Sequence, residues 1–212
     1  MRMRGVLITI EGIEGSGKTT QCRLLTEWLR VRGYRVCRTS EPDGTALGEA
    51  VRALFETEKT APAPLAEVFL FLAARQQHVA EVIRPALERG EIVLSDRYAD
   101  ATLAYQGSGR GMDRHTIREL NTLATGGIQP DLTLLFDLPA EAGMQRLAGR
   151  QLDAFERMDL AFHQRVRQGY LEIASEEKAR VVVLRADQPV EVLQAEVRAA
   201  VEDLFKRRGV PA

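Results

Sequence analysis

The chain of 212 residues is poor in the side chains that staple or ligate: it has two cysteines, three histidines and one tryptophan. Cys22 and Cys37 lack metal-ligand or redox spacing and no secretion signal accompanies them, so they are expected to be reduced, packed thiols of a cytosolic protein. His78, His115 and His163 are isolated, without metal spacing, and are expected at the surface or partly buried. Long apolar runs are missing as well. The start, MRMRGVLITIEG, holds a run of only five apolar residues before Glu11, too short for a signal-peptide core, and no segment approaches a membrane span. A net charge of −1 leaves no global field to draw the chain to nucleic acid or an anionic membrane. Any strong affinity for phosphate must then be local.

What is present fits an ordinary globular protein, with 45% apolar and 28% charged residues. No linker, repeat or low-complexity tract divides the chain, so a single domain over 1–212 is expected. Residues 6–10 are continuously apolar or β-branched, as in a strand covered on both faces. Similar short runs occur at 34–39, 92–96, 132–137 and 181–184. Between them lie helical patterns. Leu24, Leu25, Trp28 and Leu29 share one face before Gly33, 65–87 reads as a helix that Pro85 should kink or end, and Val190, Leu193, Val197, Val201 and Leu204 share the face of a last helix. Alternating strands and helices of these lengths imply an α/β fold, a five-stranded parallel sheet with helices on both faces.

GIEGSGKTT follows the first strand and leads into a helix: Gly12, Ile13, Glu14, Gly15, Ser16, Gly17, Lys18, Thr19 and Thr20. Each fixed position has a physical reason. Gly12, Gly15 and Gly17 permit backbone angles that let successive N–H groups point at phosphate oxygens, and the following helix adds its positive end. Lys18 supplies a point charge for the outer phosphates and Thr19 a hydroxyl for Mg²⁺, with Asp96, at the end of the 92–96 strand, as that ion's second anchor. The loop holds a nucleoside triphosphate; alone it leaves open a nucleotide switch, an ATPase motor and a small-molecule phosphotransferase. The Asn-Lys-x-Asp tetrapeptide of guanine-specific switches does not occur.

Four further stretches bear on the acceptor: SEPDGT at 40–45, FLAAR at 71–75, DRYADATLAYQG at 96–107, and an arginine-rich, apparently helical segment from Arg146 to Arg167. With the phosphate loop, their order and spacing over about Leu7 to Tyr170 resemble the thymidylate kinase family. The resemblance implies a P-loop kinase fold with a helical lid near 146–157, ATP with Mg²⁺ as the phosphoryl donor, dTMP as acceptor, dTDP as product and a cytoplasmic homodimer. Phe71 resembles the aromatic that stacks on thymine, and Arg75, which can only donate, the group that reaches O4. Thr102 and Gln106 resemble neighbours of the base edge, and Tyr105 the ring that fills the space of a ribose 2′-hydroxyl. Glu14 suits the sugar 3′-hydroxyl, while Arg97 and Arg52, with Glu41 nearby, resemble the groups around the monophosphate. The catalytic set would be Lys18, Arg97, Arg150 and Arg146; the phosphate loop has Gly15 where one branch of the family has an arginine, so the lid must supply that charge. The chain departs from the family pattern at Ser40, Asp43, Ala101, Ala154 and Arg185. A kinase for another nucleoside or nucleoside monophosphate and a non-catalytic nucleotide switch remain the alternatives.

Overall fold

The run VLITIE offers water no polar face, and it forms strand β1 (Val6–Glu11), buried at every position. The structure is a computed structural model, and it describes residues 5–56, 62–149 and 152–210. Strands β2 (Val36–Ser40), β3 (Ile92–Asp96), β4 (Leu132–Asp137) and β5 (Val181–Arg185) join β1 in one sheet of order β2-β3-β1-β4-β5. Every pairing is parallel, the arrangement expected from strands that alternate with helices. The apolar runs of β1, β3 and β4 take the three central places, and β2 and β5, partly exposed, are the edges.

The crossovers are supplied by α1 (Lys18–Val31), α2 (Ala46–Glu56), α3 (Pro64–His78), α4 (Arg84–Glu88), α5 (Ala99–Thr102), α6 (Arg114–Thr125), α7 (Ala140–Leu147), α8 (Leu160–Glu176) and α9 (Val190–Arg208). Because side chains alternate along a strand, Ile8 and Ile10 share a cluster with Cys22, Leu25 and Leu29 of α1 and Val197 and Val201 of α9. Leu7 and Val93 point the other way, into a cluster with Val79, Ile83, Ala86 and Leu87. Helices therefore cover both faces.

Two segments depart from the expected pattern. Pro85 neither ends nor breaks the helix over 65–87, which runs on to Glu88. The turn before the proline widens instead: Val79–Ile83 is π-helical, and the Arg84 N–H reaches five residues back to the Val79 carbonyl. A wider turn relieves the contact between the proline ring and the preceding turn's carbonyls. The arginine-rich segment from Arg146 to Arg167 is likewise not one helix. Ala148 leaves the helical region and Gly149 has φ 83°. The described lid residues form turns until α8 starts after Asp159, whose carboxylate accepts from the Phe162 N–H at 2.7 Å. That cap satisfies one orphan donor of α8. Replacing it by Asp159→Ala is expected to lower the unfolding free energy by about 1 kcal/mol, with an unchanged denaturant slope; urea titration giving the wild-type midpoint would refute this.

Candidate functional site

Gly12 and Ile13 turn the chain out of β1, and their carbonyls accept from the Lys18 ammonium at 2.9 and 2.7 Å. Ser16 Oγ donates to the Ile13 carbonyl at 2.8 Å. These three residues build the loop from beneath; Glu14, Gly15, Gly17, Lys18, Thr19 and Thr20 line the open side of a cleft of about 970 Å³. The loop is backed by α7. A Cβ on Gly15, whose φ is 72°, would lie 2.6 Å from the Gly143 carbonyl, and a Cβ on Gly143 would lie 2.7 Å from that of Glu14. Gly143 is thus part of the loop's seat, and only the three-dimensional contact reveals it. Burial pushes the Lys18 ammonium down to about 8, helped by Arg97 and opposed by Asp96, Glu14 and Glu11.

β3 ends directly beside this loop, with Ile10 and Asp96 as register partners. Thr19 Oγ1 donates to Asp96 Oδ2 at 3.0 Å, so the two oxygen groups expected to share a cation are already in contact. Arg97 then adopts φ 71°, a left-handed conformation that costs a non-glycine residue about 1–3 kcal/mol. Its surroundings hold it there: Arg97 N–H donates to the Ile10 carbonyl at 3.0 Å, Ser95 Oγ to the Arg97 carbonyl at 2.7 Å, and Tyr98 N–H to Glu11 Oε1 at 2.7 Å. The guanidinium is delivered to Glu14, donating to Oε1 at 2.8 Å; Tyr105 OH donates to the same oxygen. Burial alone would raise the Glu14 carboxyl, but Arg97, His163, Lys18 and Tyr105 together hold it well below the usual carboxylate range.

The residues expected to grip the acceptor line the same cleft: Glu41, Arg52, Phe71, Arg75, Arg97, Thr102, Tyr105 and Gln106. Phe71 is half-buried, and Phe55 stacks on it at 4.9 Å and 12°. Phe155, from the lid segment, is tilted toward Phe71 at 5.7 Å and meets Tyr105 edge-on at 5.8 Å. Neither Phe55 nor Phe155 stood out in the sequence. Arg75 is 3% exposed and its donors are engaged: Nε with Glu41, Nη1 with Thr102 and Asn121, Nη2 with the Tyr98 carbonyl and Glu41. Among the described residues the Thr102 hydroxyl accepts from Arg75 and donates to no side chain or carbonyl, so its proton and these shared N–H groups are what this wall can offer a ligand carbonyl. Glu41 is spent on Arg75 and His78, and Gln106 donates to Glu67 at 2.8 Å.

The arginines fare differently. Arg52 pairs with Asp43 at 3.3 Å and Glu56 at 3.4 Å. Arg146 donates to the Gly15 carbonyl at 3.0 Å and the Ala186 carbonyl at 3.2 Å, bridging the phosphate loop to the exit of β5. Arg150 lies outside the described residues. In the lid, Asp153 Oδ1 accepts from the N–H groups of Phe155 and Glu156, and Glu156 Oε2 accepts from that of Asp153. The histidines depart most from expectation. His115 is exposed, but His78 and His163 are fully buried, the first against Thr39 and Glu41 and the second against Glu14.

Beneath the site Glu11 is wholly buried, accepting from Tyr98 N–H and from Tyr170 OH at 2.8 Å. Burial, with Asp100, pushes its carboxyl from 4.5 up to about 8 against the opposing pull of Arg97. A carboxyl raised on folding contributes stability that is complete below 4.5 and is lost as pH rises through about 8. The unfolding free energy of the protein alone is expected to fall across that window, and Glu11→Gln, which stays neutral, should flatten the slope. Equal slopes for the two proteins in denaturant titrations would show that Glu11 is not the group responsible.

The model of the thymidylate kinase family matches residues 10–197. A thymidylate kinase of Desulfovibrio desulfuricans is 49% identical over 213 residues, covering 96% of this chain and 98% of that protein. One of Deinococcus radiodurans is 50% identical over 201 residues, covering 94% and 98%. The crystal structure of thymidylate kinase from Ehrlichia chaffeensis superposes with a TM-score of 0.77 at 34% identity, covering 94% of this chain and 99% of that one. With a phosphate loop and a second, aromatic- and arginine-lined pocket in one cleft, and with this likeness over nearly its whole length, the chain belongs to the thymidylate kinase family.

Proposed function

We propose that this member of the family transfers the γ-phosphoryl group of ATP to dTMP, giving dTDP. The observation that carries the reading is that one cleft of about 970 Å³ is lined both by Lys18 and Thr19 of the phosphate loop and by Phe71, Arg75, Tyr105 and Gln106. A switch needs only the first set. Phosphoryl transfer demands little covalent chemistry from a protein, chiefly alignment of donor with acceptor and neutralisation of charge on the moving group. Lys18 and the loop N–H groups would hold the donor's outer phosphates, and an anionic chain placed there would counter the repulsion that Arg97 exerts on Lys18. Arg97, fixed by its backbone and by Glu14, would face the acceptor phosphate.

Thr19 and Asp96 form a hard-oxygen pair suited to Mg²⁺, an ion that keeps water and phosphate as its other ligands. When bound, Mg²⁺ would neutralise charge on the donor phosphates. Arg146, tied to the Gly15 and Ala186 carbonyls, is better placed to hold the loop than to move with the transferring group, and Arg157 donates to the Leu152 carbonyl, so Arg150 is proposed as the lid's cation for that group. For the homodimer, the support is an apolar exposed surface on packed helices, with Leu47 on α2, Leu65 and Phe69 on α3 and Leu123 on α6. No helix among the described residues is long and apolar enough to cross a membrane, in keeping with the proposed cytoplasmic location.

ADP release from ATP and Mg²⁺ should depend on added dTMP in a panel of nucleoside monophosphates. Release without any acceptor would favour a switch or motor, and preference for a cytidine or adenosine acceptor would move the substrate. Lys18→Ala should cost at least ~10²-fold in kcat while leaving the fold intact; wild-type turnover would remove the loop from the mechanism. Tyr105→Ala should narrow the preference for dTMP over the ribose acceptor, and unchanged selectivity would mean that another group guards the 2′ position.

A further inference from the structure

His163 lies on α8, within the arginine-rich stretch but assigned no role there, yet it is 2% exposed and its Nδ1 is 3.4 Å from Glu14 Oε2. The two oxygens of Glu14 are unequal. Oε1 accepts from Arg97 and Tyr105, whereas Oε2 is buried and completes no hydrogen bond among the described residues. His163 Nε2 is also buried without a hydrogen-bond partner. An unprotonated Nδ1 would set its lone pair against those of the carboxylate in a dry site. Nδ1 is therefore the nitrogen that presents a proton to Glu14. Contacts at Oε1 alone leave the carboxylate free to pivot about that oxygen. At 3.4 Å the Nδ1 contact falls short of a full hydrogen bond but biases the plane of the carboxylate, and Oε2 keeps its lone pairs for a further donor.

We propose that His163 is a positioning residue: from α8 it holds Glu14 Oε2 so that the carboxylate meets the 3′-hydroxyl of the acceptor sugar. The inference rests on the reading of this pocket as the deoxynucleoside monophosphate site with Glu14 at the sugar. Displacing a positioned group by a fraction of the bond length weakens a charge-assisted contact steeply, so the effect of losing His163 should appear only where the acceptor has a hydroxyl to offer.

The test compares dTMP with 3′-deoxythymidine monophosphate as acceptors for the wild type, H163L, H163N and H163Q. H163L removes the donor. An asparagine amide nitrogen falls near the place of Nδ1, whereas that of glutamine falls near Nε2. H163L is expected to raise KM for dTMP roughly tenfold with a smaller change in kcat, and to leave KM for the 3′-deoxy acceptor at the wild-type value. H163N should recover most of the loss and H163Q should not. Equal losses with both acceptors would mark His163 as merely structural and overturn the proposal, as would no loss in H163L or an H163N as poor as H163L. If circular dichroism shows H163L unfolded, H163N against H163Q decides alone, and equal KM values for those two overturn it. A wild type that does not distinguish the two acceptors removes the Glu14 contact, and the role of His163 with it, while dTMP-dependent ADP release would leave the reaction itself standing.

Discussion

The site depends on one register constraint: parallel pairing places Ile10 of β1 opposite Asp96 of β3. Both strands then release their chains at the same height on the same edge of the sheet. The segment after β1 wraps into the phosphate loop and the segment after β3 turns sharply at Arg97, tied back to β1 through the Ile10 carbonyl. Asp96 consequently meets Thr19, and Arg97 meets Glu14. Slipping this pairing by one residue would turn every side chain of β3 to the opposite face, carrying Asp96 away from Thr19. The left-handed backbone of Arg97 follows from the same geometry, since a strand that must stop, reverse and aim a guanidinium within two residues has few conformations available.

Charges of both signs accumulate around that edge, and their order matters more than their number. Glu11 lies deepest and is driven toward its neutral form, so it serves as a hydrogen-bonding anchor for Tyr98 and Tyr170. Glu14, closer to the cleft, is surrounded by Arg97, Lys18, Tyr105 and His163 and is held as an anion. The two carboxyls, three residues apart in sequence, are thus sorted by environment, one driven toward the neutral acid and one held as the anion. Lys18 and Arg97 repel one another across the loop, an arrangement that costs stability and favours the arrival of phosphate.

The sheet was legible because each strand is a short apolar run and because alternation with helices leaves parallel pairing as the natural topology. The phosphate loop and its carboxylate at Asp96 were legible because glycine spacing and strand ends are local features. Features created by distant contacts were not. Nothing about Gly143 predicts that it touches Glu14 and Gly15, and Phe55 and Phe155 join Phe71 in the wall of the cleft only when α2, α3 and the 152–159 segment meet. The buried histidines were misjudged for the same reason: isolation in sequence says nothing of a carboxylate brought beside the ring by another element. The π-helical turn before Pro85 shows a local rule being accommodated, the chain widening one turn to keep a helix that the core requires.

Ala154 illustrates how a departure from a family pattern is judged by which atoms a position uses. Its N–H donates to the Phe55 carbonyl at 3.1 Å, a contact that any residue other than proline can make, and the flanking Asp153 and Glu156 close the turn through backbone donors. The turn's shape therefore does not depend on the side chain at 154. That backbone contact and the Phe155 ring, packed against Phe55 and Phe71, fasten this segment to the aromatic wall of the cleft. Phe55, Phe71 and Phe155 thus form one set of rings, so a shift of the 152–159 turn would disturb the face that Phe71 presents to the cleft. Where the family's Asp-Arg-x-Glu pattern has an arginine this chain has alanine, so position 154 brings no charge to the cleft, and Lys18 and Arg97, the latter held by both its backbone and Glu14, are cations that still line it.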